Sequence, residues 1–455
     1  MSDAATHPQP LPAQGPAQGH APGEARTAEP AARAVLAMPA RTGLLPWLVA
    51  AAILAVLPFV FRSGTALTMM SLMGIAIIFA LSFNMLLGET GMLSFGHAVY
   101  YGLAGFITIH AMNWVIRSGA AIPLPLMPFV GAATGLFFAV LFGWVSTRRS
   151  GTAFSMISLG LAELIASSAL ILRSFFGGEE GITTNRTKLP KILGVGFSSQ
   201  FEVYYLIAAW LLIAAALMYF ITRTPFGRMC NAVRDNPDRV AFVGYDPGTI
   251  RYIAFCLSGL FAGIAGALAA LNFEIANSAY VGAAQSGIVL LATVIGGAGA
   301  FIGPILGAIL VTALQVSLSD ITEIWQLYFG LLFIGVILFV PGGIAGLILR
   351  HVPLWRQGTL AGVLPSYLLA AVPLAMVLAG LILAVEMIHH VMQKAADGPM
   401  AHVFRQSLDT RSPLSWALAL GLFAAGLVLL RFASGVVGRS LDRASGAART
   451  TGART

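Results

Sequence analysis

The chain has 455 residues, of which 58% are hydrophobic and only 10% charged, with a mean hydropathy of +0.84. A soluble domain carries about a quarter charged residues, so the composition excludes that class and points to an all-α, polytopic transmembrane helical bundle. The net charge of +8 comes mostly from arginine and speaks to orientation and anionic lipid, not to nucleic acid.

Residues 1–42 are rich in Ala, Pro, Gln and Gly without apolar periodicity and read as a disordered tail. The first apolar run begins near Leu44, after too long a polar lead for a signal peptide. Membrane-length runs follow at 44–61, 66–87, 94–113, 126–147, 152–173, 203–222, 251–271, 285–318, 324–340, 364–391 and 413–432. That makes about 10–11 spans. The 285–318 run divides into two pieces that pass in and back out. Alternating the spans puts Arg26, Arg33, Arg41, Arg148, Arg149, the 223–251 arginines, Arg350, Arg356, Arg439, Arg443 and Arg449 on one side. The positive-inside rule makes that side, and the N-terminus, cytoplasmic. The 174–202 loop is the exception: it carries Arg186, Lys188 and Lys191 outward, partly offset by Glu179, Glu180 and Glu202.

Two glycine-rich stretches interrupt the apolar runs, one in each half: Gly88, Gly91, Ser94, Gly96 and His97 early, and Gly296, Gly299 and Gly303 late. Paired interruptions point to an internal pseudo-repeat and to broken helices beside a translocation pathway, where freed backbone groups and Ser94 would meet substrate. The alternative is tight cytoplasmic turns whose glycines allow close helix packing. Glu163 sits mid-span at 152–173, where a lipid-facing carboxylate costs roughly 3 kcal/mol. It is expected to face the bundle interior, either lining the pathway or satisfied by a neighbouring helix. His97 is a pathway residue or a packing histidine. His389 and His390 point to different helix faces, a poor metal geometry. Cys230 and Cys256 read as small packing residues.

Between the spans at 203–222 and 251–271 lies a polar, Arg-rich island, Arg223 to Asp246. Its residues predict two short helices in series. Thr224 caps the first with Pro225 at its first position; Asn236 and Pro237 repeat the signal; Gly244 ends the second. Phe226, Met229, Cys230 and Val233 share one face, with Arg228 and Asn231 turned away. Such a helix held at the membrane surface gives a partner something to grip; a solvated loop is the plainer alternative. No Gly-x-x-x-x-Gly-Lys-Ser/Thr motif occurs, so ATP-driven transport would draw on another polypeptide.

Three stretches carry a resemblance: Leu87 to Ala98; Pro225-Phe-Gly227-Arg228 through Asn236-Pro237 and Gly244 to Gly266; and Gly296-Gly-Ala-Gly299, Gly303-Pro304 and Gly307 with Pro341-Gly-Gly343. Over about 44–350 the chain resembles the inner-membrane permease subunits of branched-chain amino acid ABC importers, of the LivM type. The resemblance implies a core at 43–350 whose 223–250 loop couples to two separate ATPase subunits. Phe226, Gly227, Arg228, Met229, Val233, Arg234, Asn236, Pro237, Arg239 and Gly244 would form that dock: the apolar face in a groove, Gly227 allowing close approach, Arg228, Arg234 and Arg239 meeting acidic residues. It also implies a second, homologous permease, a periplasmic solute-binding protein, no cofactor and no enzymatic activity. Related importers take urea, amides or aromatic acids, which stay open as substrates. An ion-coupled secondary transporter is the alternative of a different class, against which the spans lack the clustered Asp, Glu and His that ion coupling needs; a membrane enzyme is weakest, because no nucleophile–base pair occurs in any span. Residues 351–455, with two further apparent spans, extend beyond the family pattern.

Overall fold

A computed structural model describes residues 43–191, 194–340, 342–356, 360–393, 400–403 and 406–452. The tail expected over 1–42 lies outside the described residues. The chain is helical almost throughout: α1 (Leu45–Val60), α2 (Gly64–Asn84), α3 (Ala98–Ser118), α4 (Met127–Ser146), α5 (Thr152–Ile171) and α6 (Gln200–Arg223). Two short helices, α7 (Pro225–Asp235) and α8 (Pro237–Phe242), precede α9 (Pro247–Phe273), α10 (Ala283–Gly296), α11 (Ile302–Ser319), α12 (Trp325–Phe339) and α13 (Gly343–Arg356). A hairpin of α14 (Leu360–Gln393) and α15 (Pro413–Gly452) closes the chain.

Among the described residues, nine helices are long and apolar enough to cross a bilayer, and α12 with the first part of α13, bent by 43°, makes a tenth. The protein is therefore an all-α, multi-pass membrane protein. The 285–318 run is two helices, as expected, but α10 has 14 residues and is too short to span alone.

Helix α9 is the centre of the bundle. Asp246 caps it, accepting from Gly248 N at 3.1 Å and Thr249 N at 2.9 Å, and Pro247 occupies its first position. Packing, not water exclusion, holds helices together in lipid, and small residues let the backbones approach. Gly259 and Gly263 of α9 face Gly131 and Gly135 of α4, so a Cβ at Gly263 would lie 2.1 Å from the Gly131 carbonyl oxygen. Gly266 likewise presses on Tyr101 of α3, where an added Cβ would lie 1.9 Å from the carbonyl oxygen.

One end of the bundle, here the proximal end, carries α7 and α8. Arg148 stacks on Trp144 at 4.0 Å and Arg223 on Tyr219 at 5.1 Å, placing aromatic–arginine pairs where α4 and α6 leave the apolar layer. At the distal end, strands β1 (Ile182–Thr183) and β2 (Ile275–Ala276) pair antiparallel. There Arg186, an exception to the charge asymmetry, is held 3.5 Å from the Glu274 carboxylate and donates to the carbonyls of Leu271 and Asn272. Its charge is matched inside the chain.

The α14–α15 hairpin crosses closely: a Cβ at Gly380 would lie 2.5 Å from Phe423 N, and one at Gly426 would lie 2.7 Å from Val377 N. A short hairpin of β3 (Met400–Val403) and β4 (Gln406–Asp409) lies between the two helices in the chain. Glu386 of α14 accepts hydrogen bonds from Thr322 at 2.8 Å and Tyr328 at 2.9 Å, fastening the extension to the turn after α11 and to the first turn of α12.

Candidate functional site

The island forms the two helices its caps predict. The Thr224 hydroxyl accepts from Gly227 N at 3.4 Å, the Asn236 side chain accepts from Arg239 N at 2.9 Å, and Gly244 closes α8 at φ +93°. The orientation of α7 differs from expectation. Cys230 and Val233 are buried with Val240, Ile250 and Ala254, and Phe226 and Met229 pack against them. The apolar face therefore packs on the start of α9, with Phe226 and Met229 left half-buried at its edge. Gly227 too serves the chain itself: a Cβ there would lie 2.4 Å from the Thr222 carbonyl oxygen, so the approach is between α6 and α7. Asn231 does not face away; it donates to the Glu89 carboxylate and to Gly227 O. Burial, with Glu89 nearby, pushes the Cys230 thiol up to about 12. What faces outward is Arg228, Asp238 and Arg239, together with Phe242, 91% exposed, Val243, 69%, and Tyr245, 54%.

Arg234 turns inward. Its guanidinium donates to Gly88 O and to Asp235 Oδ1, at 3.1 Å for Nη2. Its stem lies against Gly91, where a Cβ would sit 2.8 Å from Arg234 Cγ, and Nη1 would be 3.6 Å from a Cβ on Gly299. Gly91 has φ +71°, a conformation that a side chain would strain even without that contact. One arginine of the island thus touches both glycine stretches.

The stretches themselves meet. Helix α2 continues as a π-helical turn, Met85–Glu89, and the chain breaks before α3; it breaks again between α10 and α11. Asn84 accepts from Gly299 N at 3.0 Å, joining the two breaks. Other freed backbone groups are taken by serines: Phe95 N donates to Ser158 at 3.0 Å, Leu93 O accepts from Ser155 at 2.7 Å, and Ala98 N donates to Ser286 at 3.0 Å. Gly96 abuts the Ser158 carbonyl, Gly296 that of Gly303, and Gly303 that of Gly297. The breaks therefore cross at the proximal end, with Gly88, Gly96, Gly296 and Gly303 buried and Gly91 exposed, and the backbone groups named above are engaged by protein.

His97 is fully buried. Its Nε2 lies 2.9 Å from the Ser82 hydroxyl, and its ring stacks on Phe79 at 5.4 Å and meets Phe83 edge-on. Ser82 Oγ spends its proton on Phe79 O at 2.7 Å, so Nε2 carries the imidazole proton. The ring is thus enclosed among aromatic side chains, while its Nδ1 has no partner among the described residues. Ser94 is also buried, and its hydroxyl has no partner among the described residues. Glu163 corrects the sequence expectation: it lies on the exposed face of α5 and not in the interior. Small residues on the other face of α5, Ser155, Ser158 and Ala162, take the buried positions, which leaves Glu163 outward at helical spacing.

A separate cavity of about 310 Å³ opens among α2, α10 and α11. None of the glycines of the two breaks lines it. Sequence reasoning missed its lining, because Tyr101, Gln285, Thr312 and Gln315 are scattered polar residues without a motif. Among the described residues, no group of three His, Cys, Asp or Glu side chains is placed to hold a metal ion.

The family model of the branched-chain amino acid transport system permease component matches residues 65–341. The chain belongs to this family. Similar proteins include the high-affinity branched-chain amino acid transport permease LivM of Escherichia coli K12, 28% identical over 66% of this chain and 74% of the relative. The BraD permease of Pseudomonas aeruginosa is 24% identical over 59% of this chain and 91% of its own length. The LivH permease of Escherichia coli K12 is 25% identical over 59% and 90% respectively. No solved structure matches the chain. The chain is a transport permease component, and its relatives are transport permeases, not enzymes. A permease component implies the remaining components of its system. The match stops at Pro341, so the hairpin of α14 and α15 lies outside the shared permease core.

Proposed function

We propose that this permease imports branched-chain amino acids across a bacterial inner membrane, driven by two ATPase subunits and supplied by a periplasmic binding protein. It pairs with a second, homologous permease; that both LivM and LivH relatives resemble this chain supports such a pair. The functional division follows the sequence reading, with a permease core at 43–350, its coupling loop at 223–250, and an accessory extension from 351. The observation that carries the coupling role is the split character of the island. Phe242, Val243 and Tyr245 offer an apolar tip to a partner, flanked by Arg239, while Arg234 reaches the two broken helices. Arg228 and Arg239 orient the ATPase by charge, and the α7 face that includes Phe226, Met229 and Val233 ties the dock to α9.

Reconstitution tests this reading. Liposomes holding this chain with its second permease, ATPase subunits and binding protein are expected to take up leucine only with ATP. Phe242→Asp should reduce uptake at least tenfold and release the ATPase subunits on purification, since a charge replaces the anchor of the apolar tip. Uptake by the permease alone under a proton or sodium gradient would overturn the proposal.

The same reading places the N-terminus, Arg148, Arg149 and the island in the cytoplasm. In intact cells, Asn185→Cys is expected to react with an impermeant thiol reagent applied outside, and Asn236→Cys to remain unlabelled. The reverse pattern would invert the orientation.

A further inference from the structure

The cavity among α2, α10 and α11 has features that the dock does not use. It reaches from mid-depth, at Phe79, Ala292 and Ala308, to the distal end at Phe273 and Ser319, away from α7 and α8. Its volume of about 310 Å³ falls in the range of small-molecule sites, roughly 300–1,000 Å³. Ile75, Ile288, Val289 and Val311 supply aliphatic walls, and no ionisable side chain other than tyrosine lines it. Yet it is not dry in character. Tyr101 is 4% exposed and Thr312 8%, both line the cavity, and neither hydroxyl has a hydrogen-bond partner among the described residues. Neither oxygen is among the enclosed, unpartnered atoms of the described residues, so both stay open to the cavity.

Two helix ends open into the same space. Gly282 precedes α10 and no side chain caps that helix; Gln285, in its first turn, lines the cavity. The N–H groups of that turn carry the positive end of the helix dipole. Helix α11 runs antiparallel to α10 and ends at Ser319 without a basic residue in its last turn, and Gln315 and Ser319 line the cavity from there. That end carries the negative pole of the helix dipole, although Ser319 Oγ donates to Val316 O and Ile321 N and Thr322 N donate to Leu318 O. A positive and a negative helix end, aliphatic walls and neutral hydrogen-bonding groups complement a zwitterion with an aliphatic side chain. Such a site needs no buried charge of its own.

We infer that this cavity is the chamber that receives the transported amino acid from the distal side, with the carboxylate at the start of α10, the ammonium at the end of α11, and the side chain against Ile75, Ile288 and Val311. The inference rests on the import reading above, and it moves substrate contact from the glycine breaks to Tyr101, Gln285, Thr312 and Gln315. The breaks at the proximal end then gate the floor of a chamber that they do not line.

The test uses the complete reconstituted transporter. Ile288→Trp, which fills the chamber, is expected to lower leucine uptake at least tenfold while alanine or valine uptake falls less than threefold. Binding-protein-stimulated ATP hydrolysis should persist. Should Ile288→Trp fail to reach the membrane, Gln285→Cys replaces it. A hydrophilic thiol reagent should label that cysteine and block uptake, and leucine-loaded binding protein should slow the labelling at least fivefold. The two native cysteines are buried and contribute little background. A wild-type transporter that moves no aliphatic amino acid would sink the import reading itself. Leucine uptake by wild type, with unchanged selectivity in Ile288→Trp or unprotected labelling of Gln285→Cys, would overturn the chamber alone.

Discussion

Arg234→Ala is expected to reduce leucine import by the assembled transporter at least tenfold while the ATPase subunits remain bound. The side chain is only 17% exposed; it bonds to the end of α2 through Gly88 O, beside the bond that Asn231 makes to Glu89, and it also lies beside Gly91 and Gly299. A hydrogen bond from a charged donor is worth about 1.5–3 kcal/mol, and its loss leaves a part-buried carbonyl without a donor. That much, lost from the link between two moving bodies, corresponds to roughly ten- to a hundredfold in coupling. The dock itself should survive, because Phe242, Val243 and Tyr245 lie on α8 and its following turn, outside the Arg234 contacts. Hydrolysis should therefore continue but respond less to loaded binding protein. Arg234→Lys should recover only part of the activity: the charge persists, but the planar fork that serves Gly88 O and Asp235 together does not. Import within twofold of wild type in Arg234→Ala would mean that the island moves the bundle by another route.

The local part of this architecture was legible before any coordinates. Thr224-Pro225, Asn236-Pro237 and Gly244 specify helix starts and stops through their own backbones, so both short helices fall where their caps put them. The spans follow from apolar length, and the glycine breaks from composition. Direction was harder to read. In water an apolar stripe marks the inward face, but in a bilayer lipid and core are both apolar and the stripe loses its meaning. Glu163 is expected inside from the cost of a carboxylate in lipid, yet it lies on the outer face of α5, and of Arg228, Arg234 and Arg239, grouped together as dock residues, Arg234 alone points inward. The face of α7 was identified correctly as apolar; its partner proved to be α9 of the same chain. The chamber was invisible for a different reason. Its polar residues come from α3, α10 and α11, and only the antiparallel pairing of α10 with α11 brings them together.

Gly263→Val is expected to remove most of the protein from the membrane fraction, the largest effect of any single substitution considered. Helices α4 and α9 cross with Gly131 and Gly135 against Gly259 and Gly263, each helix presenting glycines four residues apart. A Cβ at Gly263 would lie 2.1 Å from Gly131 O and 2.9 Å from Gly135 Cα. Those are backbone atoms, so no side-chain rotation relieves the overlap; the helices must separate. Helix α9 is also the most enclosed of the spans, with 83% of its apolar window buried, and it touches α2, α3 and α4. Separation at one crossing therefore opens the others, at a cost above the 1–3 kcal/mol typical of overpacking. Gly263→Ala should show the same defect in weaker form, as a lowered thermal midpoint in detergent. Gly335→Val is the control: nothing lies within 4 Å of a Cβ at that position of α12, and valine is a better helix former than glycine. A Gly263→Val protein that accumulates and elutes as a single species like Gly335→Val would show that α4 and α9 do not cross this closely in the membrane.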